Sequence, residues 1–249
     1  SKKPIIIIGE SALELQSGKY IFEELKNYLL NNNFINEEWN ALNILLQNAS
    51  SVGLLDLKML SHKSDNNFVF FDKLNQNKFK FLYLLGSDNL EFKKNNEFVV
   101  YQGSHGDKGA EIADVILPSA AYTEQNGLYS NLEGRVQECK KASYPIGESL
   151  EDWRIFNLIL KKLEKTDNLN NFEKLKKAAI HSIINFSEMN NLPKRIVNKS
   201  EKINSDFKNE EILIKKLDYY FTNSISRASK TMSECRQINE QIPKTGTNN

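Results

Sequence analysis

Short apolar runs, each followed by turn residues, recur along the first half of the chain. The first covers residues 5–8 and ends at Gly9, which is the pattern of a buried central strand that feeds a loop. The same pattern predicts strands at residues 68–71, 79–85, 98–101 and 115–117. Because helical patterns separate the runs, we predict an α/β fold, a layered sheet with helices on both faces.

Apolar residues at helical spacing predict the intervening helices. They cover residues 19–31, 37–48 and 108–113. The clearest helix opens at Ser149, which is placed to cap the free amides, while Glu151 and Asp152 meet the positive end of the helix dipole. Its apolar face comprises Leu150, Trp153, Phe156, Leu160 and Leu163. We expect this face to pack against the sheet.

The helical pattern weakens in the last third of the chain. One more helix is predicted from Ala178, Ile180, Ile183, Ile184 and Phe186. In the tail, Ile225, Ala228, Met232 and Cys235 share one narrow helical face. Such a face is typical of docking on a surface rather than of core formation. We therefore expect an α/β domain at residues 1–165, a helix and linker at 166–207 and a C-terminal helical docking tail at 208–249.

The composition argues against several classes of function. Lys and Arg number 33 against 32 Asp and Glu, so the net charge is +1 over 249 residues. Such a chain has no global field to hold nucleic acid or an anionic membrane. Its apolar runs are far shorter than the ~20 residues of a membrane span, and residues 1–9 predict a strand rather than a signal or transit peptide.

The two cysteines, Cys139 and Cys235, lie far apart, with no CxxC motif and no neighbouring histidine. A zinc or iron–sulfur site needs three or four converging soft ligands. We therefore expect no metal site in this chain. Both residues are predicted to be reduced thiols, which fits the cytoplasm or the mitochondrial matrix.

Three glycines, Gly103, Gly106 and Gly109, precede the predicted helix at residues 108–113. The amides of a glycine-rich turn before a helix can bind anions. The spacing G-x-x-G-x-x-G, however, is neither the dinucleotide pattern nor the Walker pattern. Tight turns are the favoured interpretation, with a vestigial or small-anion pocket as the alternative.

The histidines do not predict a catalytic triad. His105 stands beside Asp107, but the chain has no nucleophile-elbow motif such as G-x-S-x-G. His62 and His181 are expected to be solvated or packed. We predict no catalytic residue and no cofactor-binding residue.

Glu124, Glu133 and Arg135 surround Asn126-Gly127, which predicts a tight turn. We expect ion pairs or turn hydrogen bonds among these charged residues. Two carboxylates can form an acid–base pair in glycoside hydrolysis, but nothing in the sequence brings these two together over a cleft.

The run at residues 101–118, Tyr-Gln-Gly-Ser-His-Gly-Asp-Lys-Gly-Ala-Glu-Ile-Ala-Asp-Val-Ile-Leu-Pro, continues through 119–127 to 131–137. It resembles the molybdopterin-oxidoreductase fold, and most closely the cofactor-free version in the large iron–sulfur subunit of respiratory NADH:quinone oxidoreductase, complex I. The match is near-continuous over residues 83–153. Residues 219–235 resemble the C-terminal end of the mitochondrial form of that large iron–sulfur protein.

The resemblance implies a structural subunit or half-subunit of the peripheral arm of complex I, on the matrix side of the mitochondrial inner membrane. Its partners would be the cluster-bearing N-terminal portion, as a separate chain if the subunit is split, and other peripheral-arm subunits. The iron–sulfur clusters that carry electrons from NADH to ubiquinone would lie in that N-terminal portion. This chain would hold no cofactor. It would be part of an enzyme without an active site of its own.

Two alternatives involve the loop at residues 86–89, Gly-Ser-Asp-Asn. Cofactor-binding relatives have a strand-end loop here that touches a guanine dinucleotide, and Asp88 would place a carboxylate beside the phosphate or guanine. The alternatives are a fragment of a molybdopterin-dependent oxidoreductase and a free nucleotide-binding α/β module.

Overall fold

The computed structural model describes residues 1–49, 51–59, 73–90, 92–165, 169–182, 189–193, 197, 202–211 and 218–241. Its strands are β1 (Ile6–Gly9), β2 (Leu42–Leu45), β3 (Phe81–Leu85), β4 (Phe98–Gly103), β5 (Val115–Pro118), β6 (Gly127–Ser130) and β7 (Val136–Cys139). Its helices are α1 (Glu10–Leu13), α2 (Gly18–Asn31), α3 (Ser51–Asp56), α4 (Lys108–Glu111), α5 (Asp152–Lys162), α6 (Phe172–Ser182), α7 (Ser224–Ala228) and α8 (Lys230–Gln241). The strand predicted at residues 68–71 and His62 lie outside the described residues.

The described residues fall into two compact units. The first comprises those within Ser1–His62, Leu128–Cys139 and Asn171–Ile214, and the second those within Lys63–Gly127, Lys140–Asn170 and Lys215–Asn249. Helices and parallel strands occur in both, so the predicted α/β class and the C-terminal helices are confirmed. No described helix is long and apolar enough to cross a membrane.

The second unit is built on a parallel sheet with the strand order β3-β4-β5. Leu82 lies opposite Val99, and Leu84 opposite Tyr101, along β3 and β4. These four side chains and Leu74 form a core cluster whose members are at most 7% exposed. The three predicted strands are therefore confirmed, and the predicted helix between β4 and β5 is the short helix α4.

The first unit pairs β1 with β2 in parallel, with Ile6 opposite Leu42. Helix α2 follows β1 and buries Leu29 completely, so the helix predicted at residues 19–31 is confirmed. The prediction that β1 is buried is wrong. Its side chains alternate between a partly buried face and an open one, so that Ile7 is 66% exposed.

The helix predicted at residues 37–48 is also wrong, because these residues contain strand β2. The Asn36 carboxamide accepts hydrogen bonds from the amides of Glu38 and Trp39, and a bridge joins Ile35 to Asn40. These contacts reverse the chain, since asparagine side chains compete with helical hydrogen bonds. The apolar residues then alternate in burial, as in a half-buried strand.

Helix α5 is confirmed, but its start and its buried face differ from the prediction. Its N-cap is Glu151, while the Ser149 hydroxyl donates to the carbonyl of Ile146. The one buried side chain within the helix is Ile155, whereas Trp153 is only partly buried. The amide of Leu150 donates to the carbonyl of Pro118 in β5, and the Leu150 carbonyl accepts the amide of Ala120. These two hydrogen bonds fix the chain just before α5 and so determine which face of the helix is buried. Leu163, on the predicted inner face, is 62% exposed.

The tail is helical, as predicted, but it is not one helix. Ser229 has a ψ of 121° and separates α7 from α8, so the stripe from Ile225 to Cys235 does not follow one continuous helical face. Helix α6 contains the predicted Ala178 and Ile180 but begins at Phe172. The remaining residues of that predicted helix, Ile183, Ile184 and Phe186, lie outside the described residues.

Candidate functional site

The carboxyl ends of β3 and β4 form one edge of the three-stranded sheet, because the two strands run parallel. The loops that leave this edge, residues 86–89 and 104–107, meet at Gly109. Its amide donates to the carbonyl of Asp88 at 2.9 Å. A Cβ at Gly109 would lie 2.5 Å from the Ser87 carbonyl oxygen, so glycine is needed for this close approach.

Two carboxylates at this edge hold one arginine of the tail. Arg227 of α7 donates from Nη2 to Asp88 and from Nε to Asp107 Oδ2, the latter at 2.8 Å. The side chains of Arg227 and Asp88 are 19% and 11% exposed. Asp107 also caps α4, because its second oxygen accepts the amide of Lys108 at 2.9 Å. The tail is thus fastened to the sheet by paired, charge-assisted hydrogen bonds.

Tyr101 lies beneath this cluster and is 1% exposed. Its hydroxyl donates to the carbonyl of His105 at 2.6 Å and so fixes the second loop. Burial, and then the carboxylates of Asp88 and Asp107, raise the pKa of Tyr101 to about 12, against the opposing effect of Arg227. The phenol therefore stays neutral and remains a donor at physiological pH.

A cleft of about 400 Å³ opens beside the ion pairs. Its lining includes Asn89, His105, Asp107, Lys108, Phe221 and Arg227. His105 Nδ1 lies 2.9 Å from the Ser104 hydroxyl, but the Asp107 carboxylate is engaged with Arg227 and α4 rather than with the imidazole. The cleft thus mixes cations with carboxylates that are already paired.

A second polar cluster fastens α5 to the same sheet. Tyr83 donates to Gln102 Oε1, and Gln102 donates to Asp152 at 2.7 Å. Gln125 donates to the other oxygen of Asp152 at 2.9 Å and accepts its amide. Burial, and then Asp152, raise the pKa of Tyr83. Since Gln102 is fully buried, its two hydrogen bonds offset the cost of placing an amide in the core.

The comparisons with known proteins agree with this architecture. The molybdopterin oxidoreductase family matches residues 1–162. The chain belongs to this family. A second family, the C-terminal region of the G-type subunit of NADH-ubiquinone oxidoreductase, matches residues 194–235 and so includes Arg227.

Individual relatives point to the same part of the G-type subunit. The NADH-ubiquinone oxidoreductase 75 kDa subunit of Reclinomonas americana is 39% identical over 243 residues, which is 96% of this chain and 34% of the relative. The G-type subunit of the NADH-quinone oxidoreductase of Rickettsia bellii is 35% identical over 249 residues, 99% of this chain and 35% of the relative. The mitochondrial NADH-ubiquinone oxidoreductase 78 kDa subunit of Candida albicans is 35% identical over 256 residues, 94% of this chain and 33% of the relative.

The chain spans about a third of the length of these relatives. The predicted resemblance to the molybdopterin-oxidoreductase-like region of the G-type subunit of complex I is confirmed. In this member of the family, the loop at residues 86–89 presents Asp88 to Arg227, a contact between residues 139 positions apart. Asp88 and Asp107 stand out in the sequence as candidate site residues, whereas Arg227 does not, since no local pattern links it to them.

The other charged residues named from the sequence lie in local turns. Arg135 pairs with Glu133 at 3.8 Å, and its amide donates to Asn131, so the predicted ion pair is confirmed. Glu124 accepts the amide of Ala121.

The predicted tight turn at Asn126-Gly127 is wrong. Residues 131–134 make the turn instead, and Gly127 begins β6. The side chain of Asn126 accepts the amide of Lys141 at 3.0 Å. The carboxamide therefore fixes two chain segments side by side rather than forming a turn.

Neither cysteine is in a disulfide within the part of the chain that the structure describes; Cys139 is exposed and Cys235 partly buried. Within the part of the chain that the structure describes, no group of three or more His, Cys, Asp and Glu could hold a metal ion. His181 lies exposed in the last turn of α6.

Proposed function

We propose that this chain is a structural part of the G-type subunit in the peripheral arm of respiratory complex I, where it supports NADH to ubiquinone electron transfer without holding a redox centre. One observation carries the proposal. Arg227, within the segment that matches the C-terminal family of the G-type subunit, lies in the edge of the molybdopterin-oxidoreductase-type sheet and pairs with Asp88 and Asp107.

The charges at this edge disfavour a nucleotide. Two carboxylates and one guanidinium leave the cluster with a formal excess of one negative charge, counted over Asp88, Asp107 and Arg227. A phosphate in their place would meet like charge at short range, which is unfavourable in a partly buried site. The guanidinium is already held by two acceptors, so its recruitment by a phosphate would break both ion pairs.

The iron–sulfur clusters belong, in this proposal, to the N-terminal portion of the subunit, whether that portion is a separate chain or continuous with this one. The role of this chain is to pack beside that portion, exclude solvent from it and hold neighbouring subunits. The site of action is the matrix side of the mitochondrial inner membrane, in keeping with the relatives named as mitochondrial.

The test is native purification of the tagged chain from its source cells. We expect iron and NADH:ubiquinone reductase activity to migrate with it on a native gel. The chain separated from its partners under denaturing conditions and refolded should retain neither iron nor molybdenum. Stoichiometric metal in the refolded chain, or migration apart from all reductase activity, would contradict the proposal.

The cleft of about 400 Å³ beside α4 favours a second candidate, a nucleotide-binding module. His105 and Lys108 in its lining are suited to phosphate. Calorimetric titration of the isolated chain with GTP or NAD separates the candidates. Saturable binding that depends on Lys108 would support the module, and no binding at millimolar nucleotide would support the structural role.

A further inference from the structure

The outer surface of α5 carries apolar side chains that the described fold leaves open. Leu158 is 54% exposed and Leu163 62%, and both line the same groove beside the helix. Isolated exposed leucines are ordinary on protein surfaces, but a contiguous apolar patch marks a contact site. We call this patch, together with the two grooves beside it, the α5 surface.

The two grooves flank α5 and share the side chains of Leu150 and Leu158. One has a volume of about 600 Å³ and is lined by Trp153, Asn157 and Leu160, among others. The other has a volume of about 350 Å³, and its lining includes Pro118, Ile155 and Ile159. Leu158 stands between them, so an occupant that contacts it can reach both grooves.

Lysines rim these grooves. Lys161, Lys162 and Lys165 are exposed and line one groove or the other. Among the described residues, no carboxylate forms an ion pair with them, whereas Arg154 already pairs with Glu151 at 3.3 Å. Glu148 is the one acidic residue in the lining of the smaller groove. The rim is therefore positive overall.

We infer that the α5 surface binds a protein segment in which apolar side chains are flanked by Asp or Glu. The apolar side chains of such a segment fill the two grooves, and its acidic side chains form ion pairs with the lysines of the rim. The apolar and the charged parts of the α5 surface thus both gain a partner from the same segment. The inference rests on the proposed function and specifies it further: the segment belongs to a neighbouring subunit of the peripheral arm.

Site-specific photo-crosslinking tests this inference in the full chain. Benzoylphenylalanine replaces Leu158 in the source cells, the cross-linked peptide is sequenced, and Leu132, which is 51% exposed in the first unit, serves as the control position. We expect Leu158 to capture a peripheral-arm peptide with apolar residues and at least one Asp or Glu within about one helical turn of the link. Leu132 should not capture that peptide.

Charge neutralisation gives a second, independent readout. Lys161→Gln with Lys162→Gln is compared with Lys174→Gln and Lys177→Gln, two exposed lysines of α6. The α5 pair should reduce incorporation into the complex by roughly tenfold at low salt, with the difference from wild type shrinking as salt screens the charges, while the control pair changes it less than about twofold. Equal thermal midpoints of the isolated chains establish that folding is intact.

The outcomes separate this inference from the proposed function. A chain found in no iron-bearing assembly defeats the proposed function, and the inference with it. An assembled chain whose Leu158 position captures nothing, a second copy of itself or a peptide without acidic residues defeats the inference alone. Binding of the isolated chain to phosphatidylglycerol vesicles that is lost with the α5 pair would reassign the surface to a membrane.

Discussion

The two units bury very different fractions of their strands. In the second, Leu82, Leu84 and Val99 of adjacent strands are at most 7% exposed. In the first, Ile7 and Leu45 of the β1-β2 pair are 66% and 56% exposed. Parallel sheets normally have both faces covered. The second unit covers one face of its sheet with its own residues, whereas neither face of the β1-β2 pair is fully buried. Both units leave apolar surface open to a partner, β1 and β2 in the first and the α5 surface in the second.

Polar contacts join distant segments within each unit. The second unit contains the Arg227 ion pairs and the network around buried Gln102. The first unit contains the hydrogen bond of Ser17 to Lys208 and the ion pair at 3.0 Å between Lys176 of α6 and Glu138 of β7. The contrast between the units therefore lies in the burial of their strands.

The largest effect should come from the core of the second unit. Leu84→Ala removes a side chain that is 5% exposed, and we expect a loss of about 2–4 kcal/mol in the free energy of unfolding. Leu85→Ala, one position along the same strand but 48% exposed, should cost less than about 1 kcal/mol. Urea denaturation of the two variants measures the difference. A larger loss for Leu85→Ala than for Leu84→Ala would show that β3 faces the other way.

Tyr101 should make the stability of the second unit depend on alkaline pH. The pKa of Tyr101 is raised from 10.0 to about 12 in the folded chain. The neutral phenol therefore makes its full contribution to the free energy of unfolding below pH 10, and this contribution is lost as the pH rises towards 12. The shift corresponds to roughly 2–3 kcal/mol. Tyr101→Phe removes this dependence but leaves that of Tyr83 in place.

The measurement is unfolding free energy between pH 8 and pH 12 for both proteins, and the difference between the curves isolates Tyr101. Wild type should lose more stability than Tyr101→Phe over this range. Parallel curves would show that the Tyr101 phenol is not held in the neutral form by its surroundings.

Arg227→Ala should loosen the tail without unfolding the sheet. The variant leaves Asp88 and Asp107 partly buried without their partner, and the partial exposure of the pair limits the loss to about 1–2 kcal/mol. Amides of α7 should exchange with deuterium faster. Arg236→Ala, whose side chain is 44% exposed and pairs with Asp218 at 2.8 Å, should cost less than about 1 kcal/mol. Unchanged exchange in α7 would contradict the anchoring role.

The sequence predicted the second unit well because its strands are nearly continuous apolar runs. Residues 79–85, 98–101 and 115–117 each enclose an observed strand or most of one. Such runs are typical of strands in parallel sheets, and they are too short to be confused with a long helix. The family resemblance over residues 83–153 covers β4, β5 and the end of β3, so pattern and resemblance point to the same elements there.

The errors have physical causes of two kinds. Before β2, the side chain of Asn36 accepts the amides of Glu38 and Trp39 and forms a turn. This turn takes the place of the first turn of the helix predicted at residues 37–48. At the candidate site, the Arg227 contacts join residues 120 and 139 positions apart, beyond the reach of any local period. Gln102, a buried glutamine next to an apolar run, is a local signal of the buried network.

The smallest effect should come from the open strand of the first unit. Ile7→Thr keeps the β-branched shape that strands favour, and the side chain is 66% exposed, so the isolated chain should change by less than about 0.5 kcal/mol. Ile8→Thr, on the partly buried face of the same strand, should cost at least about 1 kcal/mol because an ethyl group is replaced by a hydroxyl that is partly buried. If a partner covers β1, Ile7→Thr should reduce incorporation into the complex despite its small effect on folding. A loss above about 2 kcal/mol in the isolated chain would show that β1 is buried after all, and the contrast between the two units would disappear.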